Sequence, residues 1–148
     1  MHRPAALLVA CLLLGWAATG ASQRSAEGTR QAAPVYQLRI YEIFEHNKAA
    51  FHERFRDHAV RIMKKYDFMI RSMWESRHDG RTEFVYLLEW PSEAVMKDRW
   101  TKFMADQEWA RIKKETAAVH GTLVGEIQDR TLQTLDYSPV LPRAATQR

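Results

Sequence analysis

The sequence predicts one α+β domain in which strands and helices follow the order βαββαβ. Three observations support this prediction: four segments rich in β-branched and aromatic residues, two segments with apolar residues at three- and four-residue spacing, and an Asp79-Gly80 turn signal between the two middle strands. The chain has 148 residues, of which 46% are hydrophobic and 27% charged. This composition is typical of a single globular domain and excludes collagen-like, low-complexity and disulfide-rich classes.

The first 21 residues have the layout of a secretory signal peptide. Arg3 supplies a positive n-region, residues 5–16 form an apolar run, and residues 17–21 are mostly small, which favours cleavage near Ala21. The run is shorter than the roughly 20 residues that span a bilayer, so we expect no stable membrane insertion after its removal. We therefore expect a secreted or periplasmic protein. A mitochondrial location is the alternative, because no acidic residue precedes Glu27.

Cys11 is the only cysteine of the chain, and it lies inside this apolar run. The stretch from Leu8 to Cys11 has the look of a lipoprotein-processing site. The run continues through Leu14, however, so Cys11 is not at its end and we expect no lipid on it. Removal of the signal peptide would leave a mature chain without disulfides or thiol chemistry.

The folded part is predicted to begin at Val35. Residues 22–34 contain no aromatic or branched aliphatic side chain and are expected to form a flexible leader. Residues 35–44 form the first predicted strand, and residues 48–66 the first helix, with Asn47 as its N-cap. The apolar face of this helix is predicted to consist of Phe51, Phe55, His58, Ile62 and Tyr66.

The next predicted elements are two strands that form a hairpin. The first covers residues 68–76 and the second covers residues 83–90, with the Asp79-Gly80 turn between them. Both strands are rich in residues that favour β-structure. These two strands are the second and third of the four strands along the chain.

The last third of the sequence predicts a helix in two pieces and a final strand. Ser92 is a typical N-cap, and the helix that it begins is expected to break near Asp106, which caps a continuation ending at Gly121. Residues 122–135 form the last predicted strand, and residues 141–148 are expected to be a disordered tail.

Together these elements predict a ferredoxin-like fold, a four-stranded antiparallel sheet with the helices on one face. The third strand is apolar on both faces, because Val85 and Leu87 on one face alternate with a second apolar set on the other. That set consists of Phe84, Tyr86, Leu88 and Trp90. A sheet with one face in water would alternate apolar with polar residues. We therefore expect a second copy of the chain to cover the face away from the helices, giving a homodimer.

Four short motifs in the folded part match a known family in their order and spacing. They are Leu38-Arg39-Ile40-Tyr41, residues 83–92, Asp106-Gln107-Glu108-Trp109 and Tyr137-Ser138-Pro139. They resemble the NIPSNAP family's opening Leu-Arg-x-Tyr strand, its third strand running into a Ser-capped helix, its Asp-Pro-Glu-Trp step and its terminal Phe-Ser-Pro. The similarity identifies residues 35–140 as a NIPSNAP-like domain.

The resemblance implies a dimeric α+β barrel. Relatives with the same barrel include small cofactor-free oxygenases and isomerases, whereas animal NIPSNAP proteins are known chiefly as mitochondrial adaptors. Tyr86 and Leu88 stand where the family often has a His and a Trp, and Gln107 replaces a usual Pro. If that His carries chemistry in other members, this chain lacks it, and a shared fold does not transfer function.

The residue patterns predict no metal, no cofactor and no nucleic-acid partner. His46, His52 and His58 are six residues apart, which turns successive imidazoles to different sides of a helix. There is no glycine-rich phosphate loop and no Gly-x-Ser-x-Gly motif. The 22 Lys and Arg residues are spread among 18 Asp and Glu residues without a basic cluster. His58 is expected to be a hydrogen-bonded packing residue.

Strand parity groups four candidate ligand-binding residues: Arg39, Tyr41, Tyr86 and Trp90. If Leu38 and Ile40 face the helices, Arg39 and Tyr41 point to the opposite face, beside Tyr86 and Trp90 of the neighbouring strand. A cation and two phenols in a partly enclosed apolar site could hold an anionic or carbonyl-bearing ligand. The alternative is an ion pair from Arg39 to Glu75, to Glu89 or to an acid of the partner chain.

Three functions remain open on the sequence. The first is binding of a small organic molecule without catalysis, and the second is a cofactor-free oxygenase or isomerase with Tyr86 or Tyr41 as the acid and Arg39 holding an oxyanion. The third is a protein-interaction module without a ligand. A cavity of about 300 Å³ or more would favour the first two. A markedly lowered tyrosine pKa beside Arg39 would favour the enzyme.

Overall fold

The computed structural model describes residues 33–139 of the chain. Its four strands form one antiparallel sheet in the order β2-β3-β1-β4. The strands are β1 (Val35–Ile43), β2 (Met69–His78), β3 (Arg81–Trp90) and β4 (Val124–Gln133). With the helices placed between them, this is the ferredoxin-like βαββαβ fold that the sequence predicts. The expected signal peptide at 1–21, most of the leader at 22–34 and the tail at 141–148 lie outside the described residues.

The helices cover one face of the sheet. The first helical segment runs from residue 48 to residue 65 and changes geometry in its middle, and the second is interrupted at Ala105 and Asp106. The pieces are α1 (Lys48–Arg54), a π-helical stretch (Phe55–Ala59), α2 (Val60–Lys65), α3 (Glu93–Met104) and α4 (Gln107–His120). No helix among residues 33–139 is long and apolar enough to cross a membrane.

Local residue chemistry sets the ends of these elements. The Ser92 hydroxyl accepts the Val95 backbone N–H at 3.2 Å, and the Asp106 carboxylate accepts that of Trp109 at 2.9 Å. The N-caps predicted at Ser92 and Asp106 are therefore confirmed. Asp79 and Gly80 have φ values of 49° and 74°, the paired positive values of a tight hairpin turn. Gly121 ends α4 at φ 73°, ψ −157°, a conformation open to glycine.

Two details of the first helix differ from the prediction. Asn47 precedes α1 but its side chain makes no cap; its amide donates to the backbone oxygens of His120 and Thr122, at 3.0 and 2.9 Å, and ties down the entry to β4. The π-helical stretch has a wider turn than an α-helix, so Ala59 rather than His58 is buried against the core.

The helices cover the sheet face that carries Arg39 and Tyr41, whereas the candidate site assumed that they cover the face of Leu38 and Ile40. Register pairs Arg39 with Tyr86 and Tyr41 with Phe84, and this face lies under the helices. Leu38 and Ile40, with their β3 partners, lie on the face away from the helices. The placement of the candidate site on the outer face is therefore wrong, although its strand adjacency is confirmed.

Candidate ligand-binding cavity

A cavity of about 450 Å³ lies between the helices and the β1–β4 side of the sheet. Arg39 and Tyr41 of β1 form part of the sheet wall, and Phe55 and Ala59 of the π-helical stretch form part of the helix wall. Phe55 and Ala59 lie four residues apart, so the helix turns both side chains towards this space. Further apolar wall comes from Phe51, Met63, Phe103 and Met104.

Arg39 is held in place by three kinds of contact. Its Nη1 donates to the Asp129 carboxylate at 2.7 Å, its Nη2 donates to the Tyr41 hydroxyl at 3.3 Å, and its guanidinium carbon lies 4.7 Å from the centroid of the Trp100 ring. Burial acts to lower the pKa of Arg39, but Tyr41, Tyr86 and Asp129 outweigh it and raise that pKa. The guanidinium is therefore a permanent cation in the cavity wall.

The two tyrosines form one hydrogen-bonded pair. Their hydroxyl oxygens are 2.7 Å apart, and their rings pack edge to face with centroids 5.4 Å apart. Tyr86 is fully buried, and burial together with its contact to Tyr41 raises the pKa of Tyr86 well above its ordinary value. Tyr86 lies behind Tyr41 as a neutral phenol and does not itself line the cavity.

Gln37 connects Asp129, the partner of Arg39, to the indole rings of Trp90 and Trp100. Its side-chain oxygen accepts the ring N–H groups of Trp90 at 3.1 Å and Trp100 at 2.8 Å. Its amide nitrogen donates to both oxygens of Asp129, at 2.9 and 3.0 Å. This side chain is only 1% exposed, and the four contacts satisfy both its oxygen and its nitrogen.

The structure therefore separates the four predicted residues into two wall residues and two supporting residues. Arg39 and Tyr41 line the cavity, Tyr86 buttresses Tyr41, and Trp90 is a core residue with its ring centroid 4.8 Å from that of Phe68. The suggested acids Glu75 and Glu89 are wrong as Arg39 partners. Glu75 contacts Lys48 and His52, and Glu89 pairs with Arg71.

The sequence patterns assigned no helix residue to the site, and the wall residues that they missed include two cations and the ring beside them: Arg54, Lys113 and Trp109. Arg54 comes from α1, where its position three residues after Phe51 indicates that it lies next to the buried face. Trp109 and Lys113 lie four residues apart on α4 and share one side of it. This four-residue spacing is visible in the sequence and predicts that the two side chains are neighbours on the helix surface. Within residues 33–139, no group of three or more His, Cys, Asp or Glu side chains is placed to hold a metal ion.

The fold and the cavity together define a class of protein. It is a ferredoxin-like α+β domain with a mostly apolar cavity, partly open to solvent, between the sheet and the helices, and a few polar groups of β1, α1 and α4 line this cavity. The NIPSNAP family profile matches residues 36–139. The chain belongs to the NIPSNAP family.

Solved structures with the same fold include proteins from Burkholderia xenovorans and Agrobacterium tumefaciens. An uncharacterized NIPSNAP-like domain protein from Burkholderia xenovorans has 17% sequence identity and a TM-score of 0.62, over 77% of this chain and 96% of that one. A NIPSNAP family protein from Agrobacterium tumefaciens also has 17% identity and a TM-score of 0.62, over 73% of this chain and 99% of that one. At this identity the likeness shows the fold alone. The comparison with curated proteins gave no match.

Proposed function

We propose that this protein binds a small organic molecule in the cavity between the helices and the sheet. The observation that carries the proposal is the cavity itself, about 450 Å³ with a mostly apolar wall and with Arg39 and Tyr41 converging on it. This size and composition fall within the range of small-molecule sites. The expected location changes from the outer sheet face to the helix side, while the expected kind of ligand stays the same.

The tyrosine pair favours binding over proton-transfer catalysis. A lowered tyrosine pKa would have indicated an enzyme, whereas burial raises the pKa of Tyr86. A phenol that stays neutral serves as a hydrogen-bond donor that fixes its neighbour Tyr41. We therefore propose a binding protein, and the cofactor-free enzyme has no specific support from Tyr86.

A fluorescent apolar probe tests the cavity. N-phenylnaphthylamine is neutral and brightens in apolar sites, so we expect it to bind to the native protein in solution. Substitution Ala59→Phe fills the cavity from the helix side, and Met104→Trp fills it from a more exposed position. Ala118→Phe, on the exposed side of α4, is the control. Unchanged probe binding in both folded cavity variants, or no binding at all, would contradict the proposal.

We further propose that two copies of the chain pack by the sheet faces away from the helices. Leu38 and Ile40 pair there with Leu87 and Val85, and Trp74 on the neighbouring strand is 49% exposed. Apolar side chains grouped on an exposed sheet face mark an interaction surface in soluble proteins. The same face on a second copy supplies a matching apolar surface, which gives a symmetric homodimer.

Export is the proposed location, on the residue pattern of positions 1–21. Expression of the full chain in a bacterium with an intact export system should yield a periplasmic or secreted product that begins close to residue 22. Intact-mass measurement reads the cleavage site directly. Retention of residues 1–21, or a diacylglycerol mass on Cys11, would contradict the proposal.

A further inference from the structure

Two cations on the helix side of the cavity have no acidic partner among residues 33–139. Arg54 and Lys113 both line the cavity. The guanidinium of Arg54 donates to the hydroxyl of Thr116 at 3.2 Å, a neutral partner. By contrast, Arg39 on the sheet side already has the carboxylate of Asp129. The unmatched positive charge of the cavity is therefore concentrated at Arg54 and Lys113.

Both cations lie against the same aromatic ring. The guanidinium carbon of Arg54 is 5.8 Å and the ammonium nitrogen of Lys113 is 5.7 Å from the centroid of the Trp109 indole. The ring face stabilises each cation, but two like charges beside one ring also repel each other. Burial lowers the pKa of Arg54, as expected for a guanidinium without a counter-ion. An anion in the cavity would relieve both costs.

Tyr41 has a hydrogen to give to such an anion. The buried Tyr86 hydroxyl must place its one hydrogen on an acceptor, and the Tyr41 oxygen lies 2.7 Å away. The Tyr41 oxygen also accepts from Arg39 at 3.3 Å. With both of its acceptor positions used, Tyr41 keeps its own O–H for the cavity, and the two donors behind it make that O–H a stronger donor.

We propose that the ligand is an amphipathic carboxylate, on the condition that the cavity binds a small molecule as proposed above. Its carboxylate lies among Arg54, Lys113 and the Tyr41 hydroxyl, and its apolar body lies along the wall formed by Met63, Phe103 and neighbouring side chains. A carboxylate presents the two coplanar acceptors that suit a guanidinium.

A pair of competitors of the same shape separates charge from hydrophobicity. Naphthoate and naphthamide differ in whether the head group is an anion or a neutral amide. We expect naphthoate to displace N-phenylnaphthylamine from the protein at a concentration about tenfold or more below that required of naphthamide. Equal displacement by the two would overturn the carboxylate assignment and leave the cavity proposal standing. Failure of N-phenylnaphthylamine to bind would overturn both.

Single substitutions assign the preference to the two cations. Lys113→Met and Arg54→Met keep a long side chain against Trp109 and remove the charge, so each should bring the naphthoate-to-naphthamide ratio towards one while the probe still binds. Lys114→Met, at an exposed neighbouring position, should leave the ratio unchanged. A thermal melt checks that each variant is folded. If Arg54→Met does not fold, Lys113→Met alone tests the proposal. A full anion preference in Lys113→Met would overturn the proposal.

Discussion

At the scale of single residues, the helix-covered face of β1 carries polar side chains that a sequence pattern would assign to the outer face. Gln37 and Arg39 look like outward-facing residues, and Leu38 and Ile40 look like the core side. The structure reverses this because Gln37 accepts two indole N–H groups and Arg39 pairs with Asp129. Strand parity alone predicts which residues share a face. It does not predict which of two apolar faces the helices cover.

The partner of Arg39 determines the expected effect of its removal on stability. Asp129 is 47% exposed, so water can solvate the carboxylate that Arg39→Met leaves behind. We expect the free energy of unfolding to fall by about 1–2 kcal/mol, from the ion pair and the lost stacking on Trp100. Urea denaturation measures this. Arg111→Met, which breaks an exposed pair with Glu115, is the control. A loss above about 3 kcal/mol would instead indicate a carboxylate left buried and unpaired.

Tyr86 gives the protein a dependence on alkaline pH. Because the folded state raises the pKa of Tyr86, the unfolded chain releases this proton first as the pH rises. The stabilisation is therefore present below about pH 10 and is lost as the pH increases towards the folded-state pKa. Tyr86→Phe should reduce the drop in urea midpoint between about pH 8 and about pH 11. Tyr137→Phe, at an 80% exposed position, should leave that drop unchanged. An equal drop in wild type and Tyr86→Phe would contradict the assignment.

At the scale of elements, the order and the boundaries followed from local signals. The hairpin at Asp79-Gly80 and the helix starts at Ser92 and Asp106 depend on residues adjacent in sequence, and all three are confirmed. The contacts of Asn47 with the segment before β4 join residues that are 73 and 75 positions apart in sequence. Spacing within one segment cannot predict them.

Asp106 is the local signal with the largest expected effect on stability. Its buried carboxylate accepts the Trp109 N–H, the Lys65 ammonium at 2.8 Å and the Tyr66 hydroxyl at 2.7 Å. Asp106→Ala removes the N-cap of α4 and should lower the free energy of unfolding by about 1–2 kcal/mol. Asp106→Asn keeps a capping oxygen and should cost less. Asp98→Ala, on the exposed face of α3, is the control, and an equal effect in Asp98→Ala would contradict the capping role.

The same contacts of Asp106 make the stability of the protein depend on pH in the acidic range. Lys65, Tyr66 and the Trp109 N–H together lower the pKa of Asp106 below its ordinary value. The unfolded chain therefore takes up this proton first as the pH falls, so the stabilisation is present above about pH 4 and is lost below it. Asp106→Asn should flatten the fall in melting temperature on acidification relative to the wild type.

At the scale of the whole molecule, the fold gives each sheet face a different role. The helix-covered face holds the cavity, and Arg39, Tyr41 and Tyr86 share it because they alternate on two paired strands. The opposite face carries Leu38, Ile40, Val85 and Leu87, which we propose that a second copy of the chain covers. The two-sided apolar pattern of β3 follows from this division, since Tyr86 and Leu88 serve one face while Val85 and Leu87 serve the other.

Packing of two outer sheet faces against each other determines the size of the protein in solution. The native protein should scatter light as two chains at micromolar concentration, because packing the outer faces together removes Leu87 and its neighbours from water. Leu87→Glu places a charge in the middle of that interface and should give a folded single chain. Ala94→Glu, the same kind of change on the exposed helix side, should leave two chains.

Binding of the probe tests whether the cavity is independent of the dimer interface. The cavity lies on the helix side, so a monomeric Leu87→Glu variant should still bind N-phenylnaphthylamine. A wild-type chain that is monomeric at micromolar concentration would contradict the dimer and would indicate that another part of the same chain covers the outer face. Loss of probe binding in a folded Leu87→Glu variant would instead show that the cavity depends on the second copy.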